Sequence, residues 1–427
     1  MARDTLTTLA NILVETWEPT IEALKRLSDP ILTEILPKEG RDVKVGKGLN
    51  ILKALEISPP QGMGARSDDE DFQVGVPGTY TPSYIPMKFL HFVHEFSEHA
   101  IVALASGGQD ENGMTLDEIL AGLTTEYARD KARQLWSDGS GILAQVNGAG
   151  ANTVTMPYDN ARNGWPLFPL GMLLDVCQYS TSTSAEDTSS VSSVTENWEG
   201  KTGSITLGTV STWTDSYYIF RSGNNGREMV GCLAAFDDGT YTNTFNSVSG
   251  STYPDWYGNV YANGGTGRAI TEELLGQAMR GPAHYGHEVE IGACNGVGWD
   301  RIGLLLAGKV QIVPTSPDVK LYGGWSAIYF RGKPIVISEQ APQGKFIWMK
   351  KSRMNIIHPM GYTGGFMPGP GQPNVRAGGK GPVLLTRYST TTGNPRPGKV
   401  IIYREFANLY CPARRIGSRI DDIDWTL

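Results

Sequence analysis

One stretch near the N-terminal end constrains the fold of this chain more than any other. Residues 58–82, SPPQGMGARSDDEDFQVGVPGTYTP, are polar, acidic and rich in glycine and proline. A strand-like run lies on each side, over residues 43–57 and from Tyr84 to Phe96. A connection of that length is unusual inside a compact domain unless it has a function. We therefore predict an extended hairpin that reaches away from any core and serves as an interaction loop.

The clearest helix signal follows this hairpin, over residues 115–138. Thr115 and Glu118 fit a capping box, and Gly139 suits the end of the helix. Apolar residues at helical spacing mark one face: Leu116, Ile119, Leu120, Leu123, Tyr127, Leu135 and Trp136. This helix is the longest that the sequence predicts.

The segment before residue 43 has a different character. Its apolar residues repeat at helical spacing, but Pro19, Pro30 and Pro37 divide the pattern into short helical pieces. Such a segment either packs on its own domain or lies on a neighbouring subunit as an arm. The sequence leaves both alternatives open.

The rest of the chain is mainly β structure, as its 52 glycines and 25 prolines also indicate. We predict a surface loop in the Ser/Thr-rich tract 180–195, because it offers little apolar surface for packing. A second helix is predicted over residues 269–280, and a Gly/Pro loop over 361–382. Strands are predicted at 142–146, 152–156, 171–177, 289–294, 309–314, 327–330, 334–339, 345–350 and 399–411.

Charge and cysteine content exclude several classes of protein. The formal net charge of −7 argues against a protein whose main task is to grip nucleic acid. The cysteines, Cys177, Cys232, Cys294 and Cys411, form no C-x-x-C pair, so we expect reduced and mostly buried thiols. The first residues contain no uninterrupted apolar block, so neither a signal peptide nor a membrane span is predicted.

The histidines do not form a convincing metal site. His91, His94 and His99 fall in HFVHEFSEH, whereas the zincin pattern H-E-x-x-H requires another spacing. On a strand, His91 and His94 would also point to opposite faces. His284 and His287 form an isolated pair in a predicted loop.

Glycine-rich turns at 332–334 and 378–381 lack the spacing of a phosphate loop. We predict no catalytic, metal or cofactor-binding site; a metal-dependent enzyme remains an alternative that would need the histidine cluster.

Taken in order, these parts resemble the major capsid proteins of tailed bacteriophages, which have the Hong-Kong-97-type fold. The segments that carry the resemblance are SDGSGILAQVNGAGANTVTM, PLFPLGMLLDV, REMVGCLAAFDDG, RGKPIVISEQAPQGKFIWM and YREFANLYCPARRIGSRIDDI. Two positions depart from the usual pattern of that family. Cys232 stands where a leucine is common, and residues 338–340 replace an expected aspartate.

The resemblance implies an α+β capsid fold with a defined order of parts. These are an N-terminal arm (1–42), an E-loop hairpin (43–97), a P-domain (98–165) with a spine helix (115–138), an A-domain with insertions (166–380) and a C-terminal strand and tail (381–427) that returns to the P/A-domain sheet. Candidate intersubunit residues are Trp17 in the arm and Arg66, Asp68, Asp69, Glu70 and Asp71 in the hairpin.

The same resemblance implies a structural role in which the protein catalyses no reaction. The subunit would self-assemble as pentamers and hexamers into an icosahedral or prolate head that encloses double-stranded DNA without reading its sequence. It would be built in the host bacterial cytoplasm, become part of the virion, contact no membrane and bind no cofactor. Scaffold, portal and decoration proteins are further partners that the resemblance admits. An encapsulin-like compartment shell is the alternative function.

Overall fold

A computed structural model gives the fold of the chain. It describes residues 29–31, 35, 37–39, 44–45, 50–58, 62–66, 68, 70–71, 74–97, 116–146, 153–157, 168–178, 185–197, 202–208, 217–306, 327–359, 365–366, 384–388 and 395–425. Among the helices in these ranges, none combines the length and the apolar character that crossing a membrane requires.

The described helices are α1 (Leu116–Leu135), α2 (Cys232–Ala235), α3 (Glu272–His284) and α4 (Gly296–Leu306). Short 3-10 helices lie at Pro254–Trp256, Lys351–Arg353 and Arg414–Ile416. The strands up to residue 221 are β1 (Pro37–Glu39), β2 (Lys44–Val45), β3 (Asn50–Ser58), β4 (Thr79–Pro86), β5 (Lys88–Phe96), β6 (Ile142–Gln145), β7 (Thr153–Pro157), β8 (Leu173–Cys177), β9 (Asp187–Asn197), β10 (Thr202–Leu207) and β11 (Tyr218–Arg221). The later strands are β12 (Thr244–Phe245), β13 (Val248–Ser249), β14 (Asn259–Tyr261), β15 (Ile291–Cys294), β16 (Ala327–Phe330), β17 (Lys333–Ile337), β18 (Phe346–Met349), β19 (Asn355–His358), β20 (Gly365–Phe366), β21 (Leu384–Tyr388), β22 (Pro395–Tyr410) and β23 (Ser418–Ile420).

Sheet I, formed by β1, β5, β19, β20, β21 and β22, is built around the long strand β22. β22 pairs antiparallel with β5, from Lys399 opposite Phe96 to Ala407 opposite Lys88. Alternate side chains of β22 are buried: Ile401, Tyr403, Glu405, Ala407 and Leu409. This period of two is that of a strand with one face in the core. The predicted closing strand is confirmed.

The single strand predicted from Tyr84 to Phe96 is wrong, because the structure has two strands there. β4 ends at Pro86, β5 begins at Lys88, and the two strands belong to different sheets. Pro86 has no backbone N–H and cannot donate to a strand ladder. Its carbonyl oxygen accepts a hydrogen bond from the Asn408 side chain at 2.7 Å. The buried positions also change phase at the break, from Ser83 and Ile85 in β4 to Leu90 and Phe96 in β5.

The predicted long helix is confirmed as α1, which packs its apolar face on the main core. Ile119, Leu120, Tyr127 and Leu135 are all buried there. The helix ends at Leu135, and Gly139 follows it with a left-handed φ of 82°. The predicted capping residue Thr115 lies outside the described residues.

A buried charged group joins α1 to β22. The Glu405 carboxylate is fully buried, forms an ion pair with Lys131 and accepts a hydrogen bond from the Tyr127 hydroxyl at 2.8 Å. His358 Nδ1 lies 3.7 Å from the same carboxylate. A buried charge is costly unless it is paired and hydrogen-bonded, so these side chains depend on one another.

The described end of the N-terminal segment packs on its own chain. Ile31 and Ile35 belong to the main core, and β1 runs parallel to β19 from Pro37 opposite Ile356. The buried Asp29 carboxylate accepts a hydrogen bond from the Trp136 indole N–H at 3.3 Å. Of the two alternatives for this segment, packing on its own domain therefore holds for the described residues between 29 and 39. Residues 1–28 lie outside the described ranges.

Sheet II has the strand order β6-β11-β8-β9-β10-β7 and contains the three strands predicted between residues 142 and 177. The surface loop predicted for the Ser/Thr-rich tract is wrong where the tract is described, because Asp187–Asn197 forms β9 between β8 and β10. Val191 is buried against Leu174 and Ile205. Threonine and valine favour an extended chain, and the two neighbouring strands supply backbone partners that composition alone does not indicate.

Sheet III has the order β14-β23-β18-β15-β17-β16, and α3 and α4 contribute to its core. The predicted second helix is confirmed as α3, and the Thr271 side chain caps it by accepting a hydrogen bond from the Leu274 N–H at 3.2 Å. Helix α4 was not predicted, because three glycines obscure its apolar pattern. The Asn295 side chain accepts a hydrogen bond from the Gly298 N–H at 2.9 Å and was the available signal for its start. The predicted strand 309–314 lies outside the described residues.

Candidate functional site

The stem of the predicted hairpin is formed by β3 and β4. They pair antiparallel from Asn50 opposite Pro86 to Ser58 opposite Thr79, so the hairpin itself is confirmed. The expectation that it reaches away from any core is wrong for the stem. Leu55 is buried in the main core, and Ile85 is buried in a separate small cluster with Ile51 and Ile357.

A tight turn between β12 and β13 packs against the side of the stem and forms hydrogen bonds with β4. Asn246 and Ser247, with left-handed φ values of 51° and 61°, connect β12 to β13. The Ser83 hydroxyl donates to the Asn246 carbonyl at 2.8 Å, and the Ser247 hydroxyl donates to the Tyr84 carbonyl at 2.9 Å. The direction of the hairpin is therefore set by contacts within the same subunit.

The described residues of the tip between 62 and 77 are exposed. Arg66, Asp68, Glu70 and Asp71 all face solvent there. Arg66 lies 3.8 Å from Glu70, and such an exposed pair contributes only about 0–1 kcal/mol. Among the apolar residues, the side chain of Met63 is 94% exposed. The structure thus brings together four of the predicted intersubunit residues; the other two, Trp17 and Asp69, lie outside the described residues.

The histidines of the HFVHEFSEH segment lie on β5 where they are described. The His91 ring stacks on Phe89 at 5.2 Å between centroids, and the His94 ring contacts Phe96 edge-on at 4.5 Å. His99 lies outside the described residues. Within the described part of the chain, no three histidine, cysteine or acidic side chains come together as metal ligands. The absence of a metal site stays a prediction for the whole chain.

The four cysteines and the second histidine pair were also predicted to form no reactive site. The cysteines are free and buried. Burial raises the pKa of the Cys232 thiol and raises that of Cys411 to about 12. The loop predicted around His284 and His287 is partly wrong, because His284 is the last residue of α3. Burial, with help from Arg353 and Lys350, lowers the pKa of His287.

Sequence reasoning missed a groove between β5, α1 and the loop 221–228, with a volume of about 530 Å³. Phe89 and His91 line it from β5, and Arg227 lines it from the loop. Lys88 crosses one end and donates to the Gly226 carbonyl at 2.7 Å. Burial lowers the pKa of Lys88, although Glu228 opposes the shift. The residues that form this groove are far apart in sequence, so no local motif marks it.

Ion pairs connect several of the side chains at this groove. Buried Arg133 lies 2.7 Å from Glu228 and 3.1 Å from Asp130, and Arg221 lies 3.6 Å from Asp130. Burial alone would raise the pKa of Asp130, but Arg133 and Arg221 outweigh burial and lower it. Both carboxylates, Asp130 and Glu228, are therefore already paired with arginines.

No protein-family model matches this chain, and no curated protein matches it. Among solved structures, the capsid asymmetric unit of cyanophage A-1(L) is similar at 12% identity, 93% coverage of this chain, 91% coverage of that chain and a TM-score of 0.51. The capsid of a native GTA particle has 10% identity, 92% and 90% coverage and a TM-score of 0.43. The SrpI encapsulin complex from Synechococcus elongatus PCC 7942 has 12% identity, 94% and 90% coverage and a TM-score of 0.41.

The chain therefore has the fold of a phage capsid protein. The cyanophage structure matches more than nine-tenths of both chains with a TM-score of 0.51. The α+β capsid fold predicted from the order of sequence segments is confirmed. The finer division into arm, E-loop, P-domain and A-domain stays a prediction.

Proposed function

We propose that this chain is the major capsid protein of a tailed double-stranded DNA bacteriophage and self-assembles into its head. The observation that carries the proposal is the capsid fold over 93% of the chain. The exposed hairpin tip supports it, because a loop that its own subunit leaves in solvent is suited to contact with another subunit.

In this proposal the chain acts only through its contacts with other copies of itself. The arm (1–42) and the E-loop (43–97) overlap neighbouring subunits, and P-domains (98–165) meet at three-fold contacts. A-domains (166–380) meet around five-fold and six-fold axes, and the C-terminal segment (381–427) completes the subunit. Trp17 and the charged residues of the tip, Arg66, Asp68, Asp69, Glu70 and Asp71, lie in the intersubunit contacts.

The proposed subunit catalyses no reaction and holds no cofactor. DNA is confined by the wall rather than gripped by it, which is consistent with a formal net charge of −7. The particle is assembled in the bacterial cytoplasm and becomes the head of the virion. Scaffold, portal and decoration proteins are proposed as further partners.

Electron microscopy of the chain expressed alone tests this function. We expect closed shells, or rings of five and six subunits where a scaffold is required for closure. A protein that stays monomeric when concentrated contradicts the proposal. Particle contents separate the alternative: shells that capture a protein cargo in the cell and never package DNA during infection favour an encapsulin-like compartment.

A further inference from the structure

A cluster of cations follows strand β18. Lys350, Lys351 and Arg353 lie at the start of and within the 3-10 helix that leads from β18 to β19. His287, in the segment between α3 and β15, lies close to them: burial lowers the pKa of its imidazole, and Arg353 and Lys350 lower it further. Arg353 is exposed, and the other three side chains are half-buried. Positive groups from two distant segments thus come together at one place on the surface.

The carboxylate of Glu290 fixes this 3-10 helix without neutralising its cations. It accepts hydrogen bonds from the backbone N–H of Ser352 at 2.9 Å and from the Ser352 hydroxyl at 2.6 Å. The backbone N–H of Glu290 donates to the Met349 carbonyl at 2.9 Å, which ties its segment to the end of β18. The cations are therefore carried by a turn that is already held in place before a ligand binds.

A second carboxylate near the cluster is already paired. Glu288 lies 2.6 Å from Lys333, and this lysine, more than Lys350, lowers the pKa of Glu288. Among the described residues, neither Lys350 nor Arg353 forms an ion pair. These two cations are therefore available to a ligand.

The cations of this cluster repel one another, so the arrangement costs stability unless an anion neutralises it. It does not follow from a basic composition, because the chain has 37 lysines and arginines against 44 aspartates and glutamates. A phosphate group has the matching chemistry. A guanidinium binds phosphate oxygens in a bidentate manner, and ammonium and imidazolium groups add positive charge and further donors.

We propose that His287, Lys350 and Arg353 form a binding site for a phosphate group, and that the DNA enclosed by the shell is its source. DNA as the source rests on the proposed shell function, whereas the site itself does not. The contact is to the DNA backbone, so it positions the duplex against the wall without reading its sequence. One local site of this kind is compatible with a formal net charge of −7, because the subunit as a whole still repels the duplex.

Titration of the full chain with inorganic phosphate, followed by calorimetry at low ionic strength, tests the site. We expect Lys350→Gln/Arg353→Gln to bind phosphate about tenfold or more weakly than the wild type, because it loses two charge-assisted contacts. The single variant Arg353→Gln accompanies it, because Arg353 is exposed and its loss leaves the fold intact. Wild-type affinity in both variants would overturn the inference, as would a wild-type chain that binds neither phosphate nor DNA.

A matched control removes the same charge elsewhere. Arg129 on α1 pairs with Glu126 at 3.1 Å, and Arg280, exposed on α3, donates to the Gly276 carbonyl at 3.3 Å. We expect Arg129→Gln/Arg280→Gln to bind phosphate as the wild type does. An equal loss of affinity in this control would mean that total charge, not the cluster, controls binding, and would contradict the inference.

The imidazole of His287 reports on the bound anion. A phosphate beside it favours the protonated ring, so bound phosphate should raise the pKa of His287, as measured by NMR of labelled histidine. The variant Lys350→Gln/Arg353→Gln should raise the same pKa without any ligand and melt at or above the wild-type temperature, because it relieves repulsion. A His287 pKa that does not respond to saturating phosphate would place the anion elsewhere and overturn the assignment.

A short DNA duplex distinguishes the two sources of phosphate. Its binding to the unassembled subunit is measured over a range of salt concentrations, where each phosphate contact contributes about −0.9 to the slope of log K against log salt concentration. We expect Lys350→Gln/Arg353→Gln to reduce the steepness of this slope by roughly 1.8. An unchanged slope, together with weakened binding of inorganic phosphate, would keep the site and overturn DNA as its source.

The outcomes also separate this site from the proposed function. A chain that forms normal shells but binds neither probe at the cluster overturns the site and leaves the shell function standing. A chain that binds phosphate at the cluster but forms neither shells nor rings keeps the site and contradicts the shell function.

Discussion

At the scale of single residues, the Glu405 carboxylate illustrates how this subunit keeps a charge in its interior. Its partners come from two elements that are far apart in sequence, Lys131 and Tyr127 on α1 and His358 on β19. No sequence pattern pairs a lysine with a glutamate almost three hundred residues away. Helix α1 and strand β22 were predicted from the sequence, but strand β19 and the bond between Lys131 and Glu405 were not.

We expect Lys131→Met to destabilise the unassembled subunit by about 3–5 kcal/mol, because it leaves Glu405 buried without its cation. The double variant Lys131→Met/Glu405→Leu should recover most of that loss, because it removes both charges. Urea unfolding followed by tryptophan fluorescence measures both values. A single variant within about 1 kcal/mol of the wild type would show that the pair matters little.

Two glycines form a matched pair for a second measurement. A Cβ at Gly231 would overlap the carbonyl oxygens of Leu135 and Gln134, where α2 begins against the end of α1. A Cβ at Gly122, exposed on α1, would meet nothing within 4 Å. We expect Gly231→Ala to lower the melting temperature markedly or prevent folding, and Gly122→Ala to add about 0.5–1 kcal/mol of stability. Equal effects of the two substitutions would contradict this packing of α2.

At the scale of elements, the hairpin divides into a structural stem and an exposed tip. We expect replacement of residues 60–77 by a short Gly/Ser turn to leave the melting temperature of the subunit near the native value, because the described tip residues bury little surface. The same variant should no longer close into shells. Calorimetry and electron microscopy check the two halves of this prediction.

The stem provides the control for that replacement. Ile85→Ala creates a cavity beside Ile51 and Ile357 and should destabilise the subunit by about 2–5 kcal/mol. A tip replacement that unfolds the subunit, or one that still assembles normally, would contradict the assignment of the tip to intersubunit contact.

The elements that the sequence predicted and those that it missed differ in a physical way. Helix α1 and strand β22 bury one regular face, so their apolar periods of 3.6 and 2 are visible in the sequence. Strand β9 was missed because its neighbours β8 and β10, rather than its own apolar residues, stabilise it. The groove was invisible because Lys88, Asp130 and Arg227 meet only after folding.

At the scale of the whole molecule, the order of elements proved more informative than any single motif. The cyanophage capsid structure shares only 12% of residues with this chain, yet the fold extends over 93% of it. A fold requires apolar residues at the right periods and turns at the right intervals, and many sequences satisfy those requirements. The succession of hairpin, long helix, mixed sheets and closing strand was therefore readable, while the residue contacts between them were not.

The pairing of β5 with β22 also affects the order in which the strands can pair during protein synthesis. The hairpin of β3 and β4 pairs locally and can form soon after it leaves the ribosome. β5 must wait for its partner β22, which is translated about three hundred residues later. A nascent chain can thus hold a paired hairpin stem long before sheet I around β22 is complete.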